Sequence, residues 1–267
     1  MKNIKIAFIG TGFMGCAIID GLVSSGTLDG GNIIAVNDAF PDIAAETAEK
    51  YGVVCGAGRD IAEADAVLFA VKPQVLPEAL EMYGRYLTPE KLYLTIMAGI
   101  STSFLEEKLG GARVIRFMPN LALSIGYSAT AYCLGKYASA DDGKTAEELF
   151  APMGIIKKVR ESEISAVTAL SGSGPAYFYR LTEAMASAGE KLGMDTDTAR
   201  RLALQTLIGS AKLIEQNGLA PSEMRQRVTS KGGTTAAALD TMTAEGFDET
   251  VLRAMRAAYD RSEELGK

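Results

Sequence analysis

Two short stretches hold most of the chemistry this chain can offer. Gly10-Thr11-Gly12-Phe13-Met14-Gly15 is a G-x-G-x-x-G near the N-terminus, and Thr229-Ser230-Lys231-Gly232-Gly233-Thr234-Thr235 sets paired glycines before two hydroxyls. Each leads into a helical pattern, through Ile18, Ile19, Leu22 and Val23 in the first case and Ala236 to Leu239 in the second. Glycines that let backbone N–H groups converge at a helix N-terminus make a site for an anion. In the first stretch the three glycines in turn permit a tight turn, let the backbone approach a pyrophosphate, and let the helix lie close to the preceding strand, which is the pattern for a dinucleotide. The second stretch reads equally as a helix-to-helix turn with Thr234 or Thr235 as N-cap and as an anion cradle.

What is missing narrows the chemistry further. The chain contains no histidine, so every mechanism that needs an imidazole as base, shuttle or ligand is excluded. Cys16, Cys55 and Cys133 are widely separated, without metal-ligand spacing, and read as free thiols; no metal site is expected. The net charge of −6 is shared by both halves, neither of them basic, which argues against a nucleic-acid partner. No apolar run reaches the roughly 18 residues of a membrane span, and Met1-Lys2-Asn3 leads into a strand-and-glycine pattern in place of a signal peptide. A cytoplasmic protein is expected.

The elements that must position these residues alternate. Short apolar runs at Ile4 to Ile9, Ile33 to Val36, Val53-Val54, Ala66 to Val71, Leu92 to Met97 and Ala112 to Phe117 are separated by helical patterns. Such alternation predicts a doubly wound α/β fold, a Rossmann domain with a mostly parallel sheet, and strands near Tyr127 to Leu134 and Ile155 to Val159 extend its edge. Ligands of such sheets lie beyond the carboxyl ends of the strands. That rule makes Ala70, Val71, Lys72 and Pro73, then Ala98 and Gly99, and finally Asn120, candidates for cofactor contact. Asn37-Asp38 closes the second strand, and a carboxylate there accepts hydrogen bonds from an adenosine ribose and repels a 2′-phosphate. No Lys or Arg stands between Lys5 and Lys50 to offset it, so NADH is favoured over NADPH.

Composition changes at Arg160-Glu161-Ser162, which divides the chain into a dinucleotide-binding domain, 1–162, and an all-α domain, 163–267. The second half shows only helical spacing, as in Leu202, Leu204, Leu207 and Ile208 or Val251, Leu252, Met255 and Tyr259. Leu170-Ser171-Gly172-Ser173-Gly174-Pro175-Ala176-Tyr177 interrupts or kinks a helix, either for a tight helix crossing or for close approach of a ligand, with Ser173 the candidate substrate contact. Small residues from Ala184 to Gly189 suit helix-on-helix packing in a dimer.

Four segments together resemble the pyrroline-5-carboxylate reductases, which make proline from its cyclic imine with a nicotinamide cofactor: Phe8 to Met14, Ala70 to Gln74, Ala169 to Tyr177, and Thr229 to Thr235. The likeness runs through the whole chain in order. It implies NADH or NADPH as hydride donor, with Gly10, Thr11, Gly12, Phe13 and Met14 at the pyrophosphate. It also implies a small imino acid substrate whose carboxylate is held by Ser230, Gly232, Gly233 and Thr234, with Thr235 bonded to the ring nitrogen as the catalytic residue. A homodimer with interlocked helical domains, and higher oligomers of such dimers up to a decamer, follow from the same likeness. The chain departs from the usual family pattern at Phe13, where a polar residue is frequent, and at Leu121-Ala122, where Thr-Pro commonly follows Met-Pro-Asn. A β-hydroxyacid dehydrogenase is the nearest rival, but Lys191, Lys212 and Lys231 lack the glycine-rich setting of that family's catalytic lysine.

Overall fold

A computed structural model describes residues 4–37 and 39–266. It falls into two compact units, one running to Ser173 and resuming at Ala258, the other Gly174–Ala257. The sequence boundary at 162/163 marks the change of composition. The first unit continues past it to Ser173 and takes back the end of the last helix.

The first unit is built on an eight-stranded sheet among the described residues, in the order β3-β2-β1-β4-β5-β6-β7-β8. Its strands are β1 Ile6–Ile9, β2 Ile33–Val36, β3 Val54–Gly56, β4 Ala66–Phe69, β5 Leu92–Thr95, β6 Arg113–Met118, β7 Ser128–Leu134 and β8 Gly154–Lys158. The strands from β3 to β6 pair in parallel, β7 runs antiparallel to β6, and β8 is parallel to β7. The helices are α1 Phe13–Ser24, α2 Pro41–Tyr51, α3 Leu76–Tyr83, α4 Thr102–Lys108, α5 Ala140–Phe150 and the short α6 Ile164–Val167.

Burial on both faces explains why the central strands are apolar without a break. Ile6 and Phe8 of β1 join Ile18, Ile19 and Leu22 of α1 and Phe150 of α5 on one side. Ala7 and Ile9 join Phe69, Tyr93, Ala79 of α3 and Leu105 of α4 on the other. Period-two alternation thus serves two cores instead of a core and a wet face. Phe117 stacks on Phe150 with ring centroids 4.0 Å apart, closing the first of these cores at the antiparallel end.

A five-residue π-helical turn, Thr168–Gly172, follows α6. The second unit is helical: α7 Gly174–Lys191, α8 Thr196–Asn217, α9 Pro221–Arg227, α10 Thr234–Ala244, and α11 Phe247–Leu265, whose final turns belong to the first unit. Proline at the first position of α9 and left-handed Gly218 at the end of α8 set the turn between them. Many of this unit's large apolar residues face outward, among them Phe178, Tyr179, Leu202, Leu204 and Leu252. No helix among the described residues is long and apolar enough to cross a membrane.

Candidate active site

The N-terminal glycine turn is shaped by contacts a side chain would destroy. Gly10 has φ +102°, and a β-carbon there would lie 2.8 Å from both Val71 Cγ1 and Val71 N. One on Gly15 would run into the carbonyl of Gly10 and sit 3.2 Å from Ala70 Cβ. These two glycines are therefore required by the protein's own packing. Gly12 differs: a β-carbon there would meet none of the surrounding described atoms within 4 Å. Its lack of a side chain leaves space that the chain itself does not fill. Helix α1 begins at Gly12 with no side-chain cap and no acidic residue in its first turn, so its leading N–H groups are left for an anion. Bare backbone, open space and a positive helix end fit a dinucleotide pyrophosphate.

Two cavities flank this turn. On one side Gly10, Thr11, Gly12, Asn37, Ala70, Val71 and Lys72 line about 210 Å³, together with Phe40, Val75, Glu78 and Met82. Asn37 ties this wall together, donating from Nδ2 to Thr11 Oγ1 at 3.4 Å and accepting from the Phe40 N–H at 3.2 Å. On the other side Met14, Ile96, Met118, Pro119, Asn120 and Leu121 meet Thr168, Gly172 and Ser173 of the π turn around about 280 Å³. Both cavities include residues of the turn that opens α1. Asp38, the expected ribose partner, lies outside the described residues.

Several expected contacts are placed elsewhere. Phe13 contributes its backbone to the helix start, but it is 67% exposed and lines a further recess with Thr11, Cys16, Asp20, Thr47 and Tyr51. Pro73 opens a 3-10 turn and does not line the 210 Å³ cavity. Ala98 packs toward Met118, Cys133 and Ile164. Gly99, with φ +78°, has its open side against the carbonyl of Leu265, so packing of the C-terminal helix requires that glycine. Asn120 lines the 280 Å³ cavity, yet its amide works within the fold: Nδ2 donates to Ser171 O at 3.1 Å and Oδ1 accepts from the Ala122 N–H at 3.1 Å. A π turn leaves carbonyls without their α-helical partners, and Asn120 satisfies one of them.

The second glycine turn lies in the other unit. Gly232 has φ +71°, and a β-carbon on Gly233 would collide with Ser230 Oγ. The first glycine is thus required by the backbone, whereas a side chain on the second would displace the serine hydroxyl folded over it. The N–H of Gly233 donates to Ser230 O at 3.0 Å, which closes the turn. Gly233, not a threonine, is the N-cap of α10, and it provides no side-chain cap. The threonine N-cap suggested by sequence is corrected: Thr234 and Thr235 are already helical. Farther along α10, Thr241 and Thr243 return their hydroxyls to carbonyls four residues back, at 3.0 and 2.9 Å. In the first turn that helical acceptor is missing, which leaves the Thr234 and Thr235 hydroxyls suited to a ligand. Thr235 also shares the wall of a cavity of about 290 Å³ with Leu213, Met224, Val228 and Leu239.

The family described as "Pyrroline-5-carboxylate reductase dimerisation" matches residues 161–265, and the one described as "NADP oxidoreductase coenzyme F420-dependent" matches residues 5–99. The chain is 38% identical to pyrroline-5-carboxylate reductase 1 of Bacillus spizizenii over 98% of its own length and 89% of that protein. The chain belongs to the pyrroline-5-carboxylate reductase family. Among solved structures it is similar to the reductase of Coxiella burnetii, with TM-score 0.91, 33% identity and 99% of each chain covered. The Plasmodium falciparum enzyme, solved with NADP bound, gives TM-score 0.88 and 28% identity over the whole of both chains. This reductase is accordingly an NAD(P)-dependent oxidoreductase with a dimerisation domain.

Tyr93, Tyr132 and Cys133, whose titration is strongly displaced, lie on strands of the sheet, and none of them lines these cavities. Burial, helped by the nearby Glu161 carboxylate, pushes the Cys133 thiol up to about 12. Burial likewise raises Tyr93 and Tyr132, the latter also through its bond to Glu147, and lowers Lys91. Most of the lining residues that sequence reasoning missed are apolar or small, such as Ile96, Met118, Thr168 and Gly172 at one end and Phe40 and Met82 at the other; Glu78 is a charged exception. Only the positions of Ile96 and Met118 at strand ends offered a signal.

Proposed function

We propose that the first unit holds the dinucleotide and the second the imino acid as this chain reduces the C=N bond of 1-pyrroline-5-carboxylate to give L-proline. The observation that carries the reading is the uncapped, glycine-built start of α1 with Gly12 open beside two cavities. Gly10, Thr11, Gly12 and the backbone of Phe13 and Met14 hold the pyrophosphate. Asn37, Asp38, Ala70, Val71 and Lys72 serve the adenosine side, and Met14, Asn120 and Ser173 wall the nicotinamide side. When bound, the reduced dinucleotide supplies the hydride.

The histidine-free chain suits this reaction. A protonated imine is electrophilic enough at carbon to accept hydride without a strong general acid, so orientation is the enzyme's main task. The N-terminal N–H groups of α10, with Ser230, Gly232, Gly233 and Thr234, bind the carboxylate through roughly half an elementary charge of helix dipole. Thr235 accepts a hydrogen bond from the iminium N–H and so fixes the ring. Hydride adds to the imine carbon, the C=N π pair passes to nitrogen, and the amine takes its last proton from solvent. Because the protonated imine is the acceptor, kcat/KM falls as pH rises past the imine's own pKa. Replacing Thr235 leaves that midpoint in place.

Asp38 favours NADH, and Lys72, the one cation among the described residues on the wall of the 210 Å³ cavity, keeps NADPH usable. The outward apolar faces of α7, α8 and α11 support an interlocked homodimer, with decameric assembly of dimers in the cytoplasm. NAD(P)H oxidation with pyrroline-5-carboxylate tests the activity, set against a 3-hydroxy acid with oxidised cofactor. Turnover of the hydroxy acid alone would overturn it. Light scattering after gel filtration tests the assembly.

A further inference from the structure

The C-terminal end of α11 is held in a way that an ordinary surface helix is not. Ser262 is only 4% exposed, and its hydroxyl donates to Ser165 Oγ at 3.2 Å, joining the helix to α6. One turn later the Leu265 carbonyl presses on Gly99, and a β-carbon on Gly266 would stand 3.2 Å from Gly99 O. Gly99 has φ +78°, so the turn after β5 is shaped to receive this helix end and would be strained by any side chain. On its other side, Ala98 packs with Met118, Cys133 and Ile164. Met118 and Ile96, which bracket that packing, both line the 280 Å³ cavity beside α1.

We infer that Ser262 and the Leu265 carbonyl are positioning groups for the cofactor: they fix the Ala98–Gly99 turn, and through it the Ile96 and Met118 wall against which the nicotinamide end rests. This rests on the dinucleotide placement proposed above. Close-packed contacts transmit a displacement because the neighbours have no free volume to absorb it. No described residue of the helix end lines either cavity; it acts through Gly99 and, by the Ser262 bond to Ser165, through α6.

Gly99→Ala and Ser262→Ala in the full-length chain, with Gly12→Val as reference, test the inference. Steady-state kinetics with NADH and pyrroline-5-carboxylate, together with melting temperature, are the readouts. Gly99→Ala is expected to raise KM for the cofactor about fivefold and Ser262→Ala about threefold, with KM for the imine and kcat within about twofold. If Gly99→Ala does not fold, Ser262→Ala carries the test. A lowered melting temperature with unchanged KM for the cofactor in Ser262→Ala would mean that the helix end is only structural, and the inference fails. If Gly12→Val binds cofactor normally, the dinucleotide placement itself is wrong. If Gly12→Val abolishes binding while the other two variants bind like the parent, only the positioning role falls.

Discussion

The two glycine turns open a helix each, and neither supplies a side-chain cap, but they are secured differently. The turn at Gly10 to Gly15 is held from outside: Val71 and Ala70 of the neighbouring strand end stand against Gly10, and the Gly10 carbonyl stands against Gly15. The turn at Thr229 to Thr235 is held from within, by Ser230 Oγ over Gly233 and by the Gly233 N–H on Ser230 O. A slot fixed by the sheet presents bare backbone and accepts a ligand through what it lacks. On the reading proposed above, a turn fixed by its own hydroxyl would use the same groups for shape and for recognition. The first turn should therefore fail abruptly when its space is filled, and the second by degrees as its polar groups are moved or removed.

The sharpest break is expected at Gly12. Gly12→Val fills space that only a ligand would use, so the chain should fold with little change in melting temperature. Cofactor affinity, followed by NADH fluorescence titration, should fall about 100-fold, roughly 2.7 kcal/mol. Normal affinity would remove the distinction between the turns. Next comes Thr235→Ala, which should cost about 1–3 kcal/mol in kcat/KM for the imine, with KM for the cofactor unchanged and Thr235→Ser recovering most of the loss. A well-folded variant with parental kinetics would sink the assignment of Thr235.

Gly233→Ala displaces Ser230 Oγ without deleting any polar group. It should raise KM for the imine about tenfold, less than the loss from a full 1 Å error at the reacting atoms. A loss in kcat alone would show instead that the turn aligns chemistry and does not hold the carboxylate. The smallest effect belongs to Asp38→Ala, where removal of one negative charge should shift the NADH to NADPH ratio of kcat/KM toward NADPH by no more than about fivefold, the scale of a single ionic contact in water. An unaltered ratio would leave Lys72 and its neighbours to set the preference.

Much of the first unit was legible because its signals are local. Ile6 to Ile9 and Ala66 to Phe69 are uninterrupted apolar runs, as strands buried on both faces must be, and the helices from α2 to α5 follow ordinary amphipathic spacing. The glycine turn was legible for the same reason, since a tight strand-to-helix turn restricts residue type within a few positions. The Ser-Gly-Ser-Gly-Pro segment was legible as an interruption, but not as a π turn. Its register depends on carbonyls finding partners such as Asn120 outside the segment.

By itself the sequence determined the order of strands and helices, the change to an all-helical second half, both glycine turns and a chemistry without histidine. Each of these rests on backbone sterics or hydrophobic periodicity over a few residues, and needs no distant partner. Tertiary structure alone decided which glycines face open space and which serve packing. Gly12 and Gly99 look alike as glycines at the ends of strands, but the first faces open space and the second faces the carbonyl of Leu265. The same holds for Asn120, whose amide is drawn to Ser171 and away from a purely ligand-facing role. The reason is that steric exclusion and hydrogen-bond satisfaction depend on whatever chain occupies the neighbouring space, and that chain can come from far along the sequence.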